Sequence, residues 1–174
     1  MTNYIKRCFY CLFIVLLLAC FAFDNPQQEA IILFEDDFQD GEPDNWDITA
    51  AWYIQQSGDA YIFEGNGAGG AWVPEGGGWS DYAFRCSARV EAGPLLLSFN
   101  LSQQGRYMVR ADEYGLYLIK EYPAEEFNVI AQTGPLPDDS WHYLAMGSYE
   151  GQVQVYVDQE LWIDYTDTEP LSGG

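Results

Sequence analysis

Basic residues are scarce in this chain. Its 174 residues hold 7 Lys and Arg against 27 Asp and Glu, a formal net charge of −20. Phosphate binding needs clustered Lys and Arg, so nucleic acid is excluded as a partner. Histidine is scarcer still, with His142 alone. Without a second His, and without a Gly-x-Ser-x-Gly elbow, a zinc centre and a serine triad both lack their parts. His142 therefore reads as a structural, hydrogen-bonded residue beside Trp141. Helical periodicity is missing too: from Ala30 onward no window of ten or more residues combines a 3.6-residue apolar repeat with caps.

The one long apolar run is Cys8–Phe23, which follows Lys6 and Arg7 and meets no charge before Asp24. Its 16 residues fall short of the roughly 17–25 that a bilayer-spanning helix needs. The run reads as a secretory leader. Its end, Leu17-Leu18-Ala19-Cys20, resembles a bacterial lipobox, in which the cysteine receives diacylglycerol. The expected organisation is a leader over 1–19, a tether over 20–29 and a domain over 30–174. Cys20 would be lipidated and the protein held at the bacterial cell envelope; ordinary cleavage with secretion, or an uncleaved anchor, are the alternatives. With Lys6 and Arg7 removed, five basic residues face 27 acidic ones, a net of −22. Only Cys20 and Cys86 would remain, so no disulfide framework is expected. Cys86 reads as a small core residue.

What is abundant is aromatic and alternating. Aromatics make up 17% of the chain, including 13 Tyr and 6 Trp, which no acidic disordered chain carries. Tyr82, Phe84, Cys86, Ala88 and Val90 alternate with Arg85, Ser87 and Arg89. Tyr107, Val109 and Ala111 alternate with Arg106, Met108 and Arg110. Val153, Val155 and Val157 alternate with Gln154 and Tyr156. Period two predicts strands here and over 30–34, 51–56, 59–64, 95–100, 116–121, 127–132, 141–149 and 161–164. Gly- and Pro-bearing turn signals separate them, including the Gly65–Gly78 stretch, Gly93-Pro94, Gly134-Pro135 and Glu150-Gly151. About a dozen short strands predict an all-β antiparallel sandwich, or jelly roll.

Several strings resemble the concanavalin A-like lectin/glucanase superfamily, in particular its laminin-G-like and 3-keto-disaccharide hydrolase-like sandwiches. They are Leu33-Phe34-Glu35-Asp36-Asp37-Phe38 followed by Trp46, Ala51-Trp52-Tyr53-Ile54, Trp79-Ser80-Asp81-Tyr82, Trp141-His142-Tyr143-Leu144, and Val155-Tyr156-Val157-Asp158-Gln159-Glu160-Leu161. In the last, Gln159 stands where the pattern has a turn glycine, leaving the turn type open. Such domains usually continue with one or two strands after the segment matching Pro170–Gly174. The resemblance therefore implies a missing partner for a strand over 31–34.

The residues favour binding over catalysis. Family 16 glycoside hydrolases on this fold carry Glu-x-Asp-x-x-Glu along one strand, and no such string occurs here, so no catalytic residue is assigned. Sugar rings stack on exposed aromatics, which nominates Trp72, Trp79, Tyr117, Tyr156 and Trp162. Arg85 and Arg106, with Arg89 and Arg110, point outward on two strands that could be neighbours; they either hold an anionic ligand or pair with cross-strand carboxylates. Asp36, Asp37 and Asp40 open an acidic stretch suited to Ca²⁺, which takes six to eight hard oxygens; a solvated loop is the alternative. Three functions remain open: a tethered module binding glycan, a glycoside hydrolase-like domain, and a laminin-G-like module binding an extracellular protein.

Overall fold

The computed structural model describes residues 31–123 and 126–171. The leader, the tether and Cys20 lie outside them. The strands are β1 (Asp47–Ile48), β2 (Trp52–Ser57), β3 (Ala60–Gly65), β4 (Ala71–Trp72), β5 (Ala83–Ala88), β6 (Leu95–Ser102), β7 (Gly105–Asp112), β8 (Gly115–Tyr122), β9 (Glu126–Thr133), β10 (His142–Tyr149), β11 (Gln152–Val157) and β12 (Glu160–Thr166). One 3-10 turn, Pro74–Gly78, interrupts them, and no α-helix occurs among the described residues.

Eight strands form two four-stranded antiparallel sheets. Sheet I runs β12–β11–β10–β5 and sheet II runs β6–β7–β8–β9. The chain switches sheets between β5 and β6 and returns between β9 and β10, and β12 lies beside β9 at one margin. The fold is thus an all-β antiparallel sandwich. The period-two residues meet in its core: Tyr107, Val109, Ala111, Leu116 and Leu118 from sheet II face Leu144, Met146, Val153, Val155, Val157 and Ile163 from sheet I. Burying each such aliphatic side chain contributes about 1.5–3 kcal/mol. Cys86 packs against this core as a free thiol, and burial pushes its pKa up to about 11.

Two expectations fail at the N-terminal end. Residues 31–34 form no strand, so the pairing expected there is not seen among the described residues. Ile31 and Ile32 stay 83% and 71% exposed, and the segment is held by Phe34, which packs edge-on against Trp46 with centroids 5.5 Å apart. Short ladders appear instead where no alternation announces them: β1 pairs with β4, and β2–β3 is a separate hairpin. Phe38, Trp46, Trp52 and Phe63 cluster on that hairpin at centroid distances of 4.9–6.1 Å, and none is fully buried.

The turn left open by Gln159 is a two-residue connection with Asp158 at φ 50° and Gln159 at φ 71°. Positive φ at both positions is the type I′ pattern that follows strand twist, here built without glycine. Asp158 is held there by its carboxylate, which accepts from the Tyr143 backbone N–H at 2.9 Å and contacts His142 Nδ1 at 2.7 Å.

Candidate functional site

The arginines divide between the sheets. Arg85 and Arg89 lie on β5 in sheet I or just past it, whereas Arg106 and Arg110 lie on β7 in sheet II, so the two strands are not neighbours. Arg106 pairs with Glu121 across the ladder at 2.7 Å, Arg110 with Asp112 at 2.6 Å, and Arg89 with Glu91. Arg85 alone among the described cations has no carboxylate partner. It occupies the outer face of sheet I in register with Ala145 and Tyr156.

The nominated aromatics do not form one platform. Trp72 is exposed on β4. Trp79 packs edge-on to Tyr82 at 5.7 Å. Tyr117 lies under Arg110 on the outer face of sheet II, at 5.8 Å. Tyr156 is half-buried on sheet I and donates to Gln154 Oε1 at 3.1 Å. Trp162 is a correction: a register shift at Val155/Tyr156 disrupts the alternation, and its ring packs against the core instead of standing on the outer face.

The acidic stretch is occupied by its own turns. Asp36 accepts from the Phe38 N–H and from Trp46 Nε1, Asp37 from the Gln39 N–H, and Asp40 from the Glu42 N–H, at 2.8–3.1 Å. These are local side-chain-to-backbone turns of the kind Asp favours. Among the described residues no three His, Cys, Asp or Glu side chains converge as a metal site.

A cavity of about 210 Å³ opens at one end of the sandwich. Four separate segments build it: Ser80-Asp81 leading into β5, Asn100 on β6, Ser148 with the Glu150-Gly151 turn between β10 and β11, and Pro170-Leu171 after β12. Asn100 is the centre of its construction. The β6–β7 register shifts between Phe99 and Ser102, and Asn100 adopts φ 52° there, in the left-handed region that Asn tolerates best after Gly. Such an irregularity re-aims a side chain out of the ladder. The Asn100 N–H donates to Tyr82 Oη at 2.9 Å, and its Nδ2 donates to Ser148 Oγ. Its Oδ1 has no partner, although the residue is only 3% exposed. A buried acceptor left unpaired costs about 1–3 kcal/mol, a penalty that a donating ligand removes.

Asp81 (φ 52°) and Glu150 (φ 49°) add two carboxylates to the lining. Neither makes a side-chain hydrogen bond or an ion pair with another described residue. The wall opposite is fixed from behind. Lys120, 4% exposed, pairs with Asp167, 8% exposed, at 2.7 Å and donates to the Glu169 carbonyl. Tyr107 donates to Asp167 at 2.6 Å and accepts from the Leu171 N–H at 3.1 Å. Burial, reinforced by Asp167, drives the Tyr107 hydroxyl pKa far upward. Burial alone would raise the Asp167 pKa, but hydrogen bonds from Lys120 and Tyr107 outweigh it and hold the carboxyl below its usual value. This network pins the segment 167–171 across the Glu150-Gly151 turn, where the Asp167 N–H donates to the Gly151 carbonyl at 2.7 Å. A side chain at position 151 would meet the Asp167 carbonyl at 2.8 Å, so glycine is required there.

Searches against protein-family models and against curated proteins find no match. Among solved structures, the chain is similar to the carbohydrate binding module CBM66 from Bacillus subtilis, with a TM-score of 0.58 and 16% identity over 75% of this chain and 83% of that one. At that identity the likeness is one of fold.

Proposed function

We propose that this protein is a non-catalytic β-sandwich that binds carbohydrate in the cavity around Asn100. The observation that carries the reading is the buried Asn100 Oδ1, unpaired and facing a cavity otherwise lined by Ser80, Asp81, Ser148 and Glu150. Sugar hydroxyls are the donors such a lining accepts, and a preformed concave site with a few convergent polar groups is the usual form of a small-molecule site. The fold shared with a carbohydrate binding module supports the same reading, as do the strings resembling concanavalin A-like sandwiches. Export and tethering at Cys20 rest on the composition of residues 1–23. Palmitate labelling that disappears in Cys20→Ser tests them, and retained labelling would set the tether aside.

A glycan panel probed with the purified full chain tests the binding reading. Wild type is expected to select a subset of glycans and Asn100→Ala to lose them. Silence across the panel would contradict it. Hydrolysis is the second reading, because Asp81 and Glu150 place two unpaired carboxylates on one cavity. Release of new reducing ends by wild type, abolished in Glu150→Gln, would favour that reading over simple binding.

A further inference from the structure

The cavity is one-sided in its chemistry. Asp81 and Glu150 offer only acceptors when ionised, Asn100 presents Oδ1, and Asn100 Nδ2 is already engaged by Ser148. No Lys, Arg or His belongs to the lining. The described cations are committed elsewhere: Arg89 to Glu91, Arg106 to Glu121, Arg110 to Asp112 and Lys120 to Asp167, with Arg85 on the outer face of sheet I. The whole chain carries a net −20, which attracts cations and repels anions before contact.

Building on the carbohydrate reading, we infer that the cavity selects glycans bearing free amines, that is, de-N-acetylated amino sugars in their ammonium form. An ammonium offers three donors and a positive charge, which answers the two unpaired carboxylates and the orphaned Asn100 acceptor together. A neutral sugar supplies donors but leaves the carboxylates uncompensated. A uronate brings a third negative charge to a site with no cation. An N-acetylated sugar has lost the charge and carries an acyl oxygen that needs a donor the lining does not offer.

The test is calorimetric titration of the purified full chain with glucosamine oligomers, their N-acetylated counterparts and oligogalacturonate, at pH 6 and again above the amine pKa. The free-amine oligomer is expected to bind at least tenfold tighter than the acetylated one at pH 6, and the preference to shrink as the amine deprotonates. Asp81→Asn and Glu150→Gln should each lower affinity for the free amine by about fivefold, a partly screened charge contact each. Asp59→Asn, an exposed acid in the β2–β3 turn, should not change it. Equal or tighter binding of the acetylated oligomer overturns the inference while leaving carbohydrate binding intact. An equal loss in all three variants also overturns it, because attraction to the overall charge would then suffice. If no member of any class binds, the carbohydrate reading itself has failed.

Discussion

Two groups of buried polar side chains lie near one another at the same end of the sandwich, and they differ in one respect. Around Tyr107, Lys120 and Asp167 every side chain has a partner: the charges are paired, and the phenol both donates and accepts. Around Asn100 the set is incomplete, with Oδ1 unpaired and two carboxylates unanswered. Satisfied buried networks rigidify a fold, whereas an isolated unsatisfied group calls for a reason such as a ligand. The first group is therefore structural and the second functional. They are coupled because the closed network fixes Pro170 and Leu171, which wall the open cavity.

Mutations should separate the two. Lys120→Ala leaves Asp167 buried without its cation and is expected to cost about 3–5 kcal/mol in denaturant unfolding. It should weaken glycan binding as well, because segment 167–171 loses its anchor. Replacing both partners, as in Lys120→Met with Asp167→Leu, should recover much of the stability; failure to recover it would mean that the charges themselves are needed. Tyr107→Phe removes two hydrogen bonds and should cost about 1–3 kcal/mol. Asn100→Ala should cost only about 1–2 kcal/mol, from one lost hydrogen bond and the left-handed backbone. Its effect on glycan affinity should nevertheless exceed tenfold. If Asn100→Ala proved as destabilising as Lys120→Ala while binding held, the contrast between the two groups would collapse.

His142 gives a smaller effect with a defined sign. Its hydrogen bond to Asp158 raises its pKa above the ordinary 6.5, against the opposing pull of burial, and the Asp138 carbonyl at 3.2 Å adds to the rise. A raised folded-state pKa favours the folded state while the ring is charged. The contribution is full below about pH 6.5, the unfolded value, and fades as pH rises through the folded one. Melting curves of wild type and His142→Asn should therefore converge between about pH 6 and 9, and a constant gap would mean that charge is irrelevant there. The smallest expected effect is that of calcium. With Asp36, Asp37 and Asp40 capping their own turns, millimolar Ca²⁺ should leave the Tm unchanged; a rise that disappears in Asp37→Ala would restore the metal reading.

The sandwich was legible because a core between two sheets imposes period two. Tyr107/Val109/Ala111 and Val153/Val155/Val157 announced their faces before any pairing was known. Trp162 escaped that logic, since a bulge on the partner strand breaks the alternation. Ile31–Leu33 look like a strand, but among the described residues they have no ladder to join. The site was hardly legible. Its parts come from positions 80–81, 100, 148–151 and 170–171, joined only by topology, and no local spacing encodes that closure. One signal was present: Asn100 is a polar residue at the end of the apolar run Leu95–Phe99, where only a bulge or a bound group explains burial. The paired readings offered for the arginines resolved toward carboxylate pairing for three of the four.

The most direct test of the central claim is calorimetric titration of one bound glycan against wild type, Asn100→Ala and Arg85→Ala, each first shown to be folded by its melting curve. The cavity account predicts that Asn100→Ala loses more than tenfold in affinity while Arg85→Ala, on the outer face of sheet I, binds as wild type does. Undiminished binding by Asn100→Ala, with the loss appearing in Arg85→Ala instead, would contradict it and move the site to the face that carries Arg85 and Tyr156.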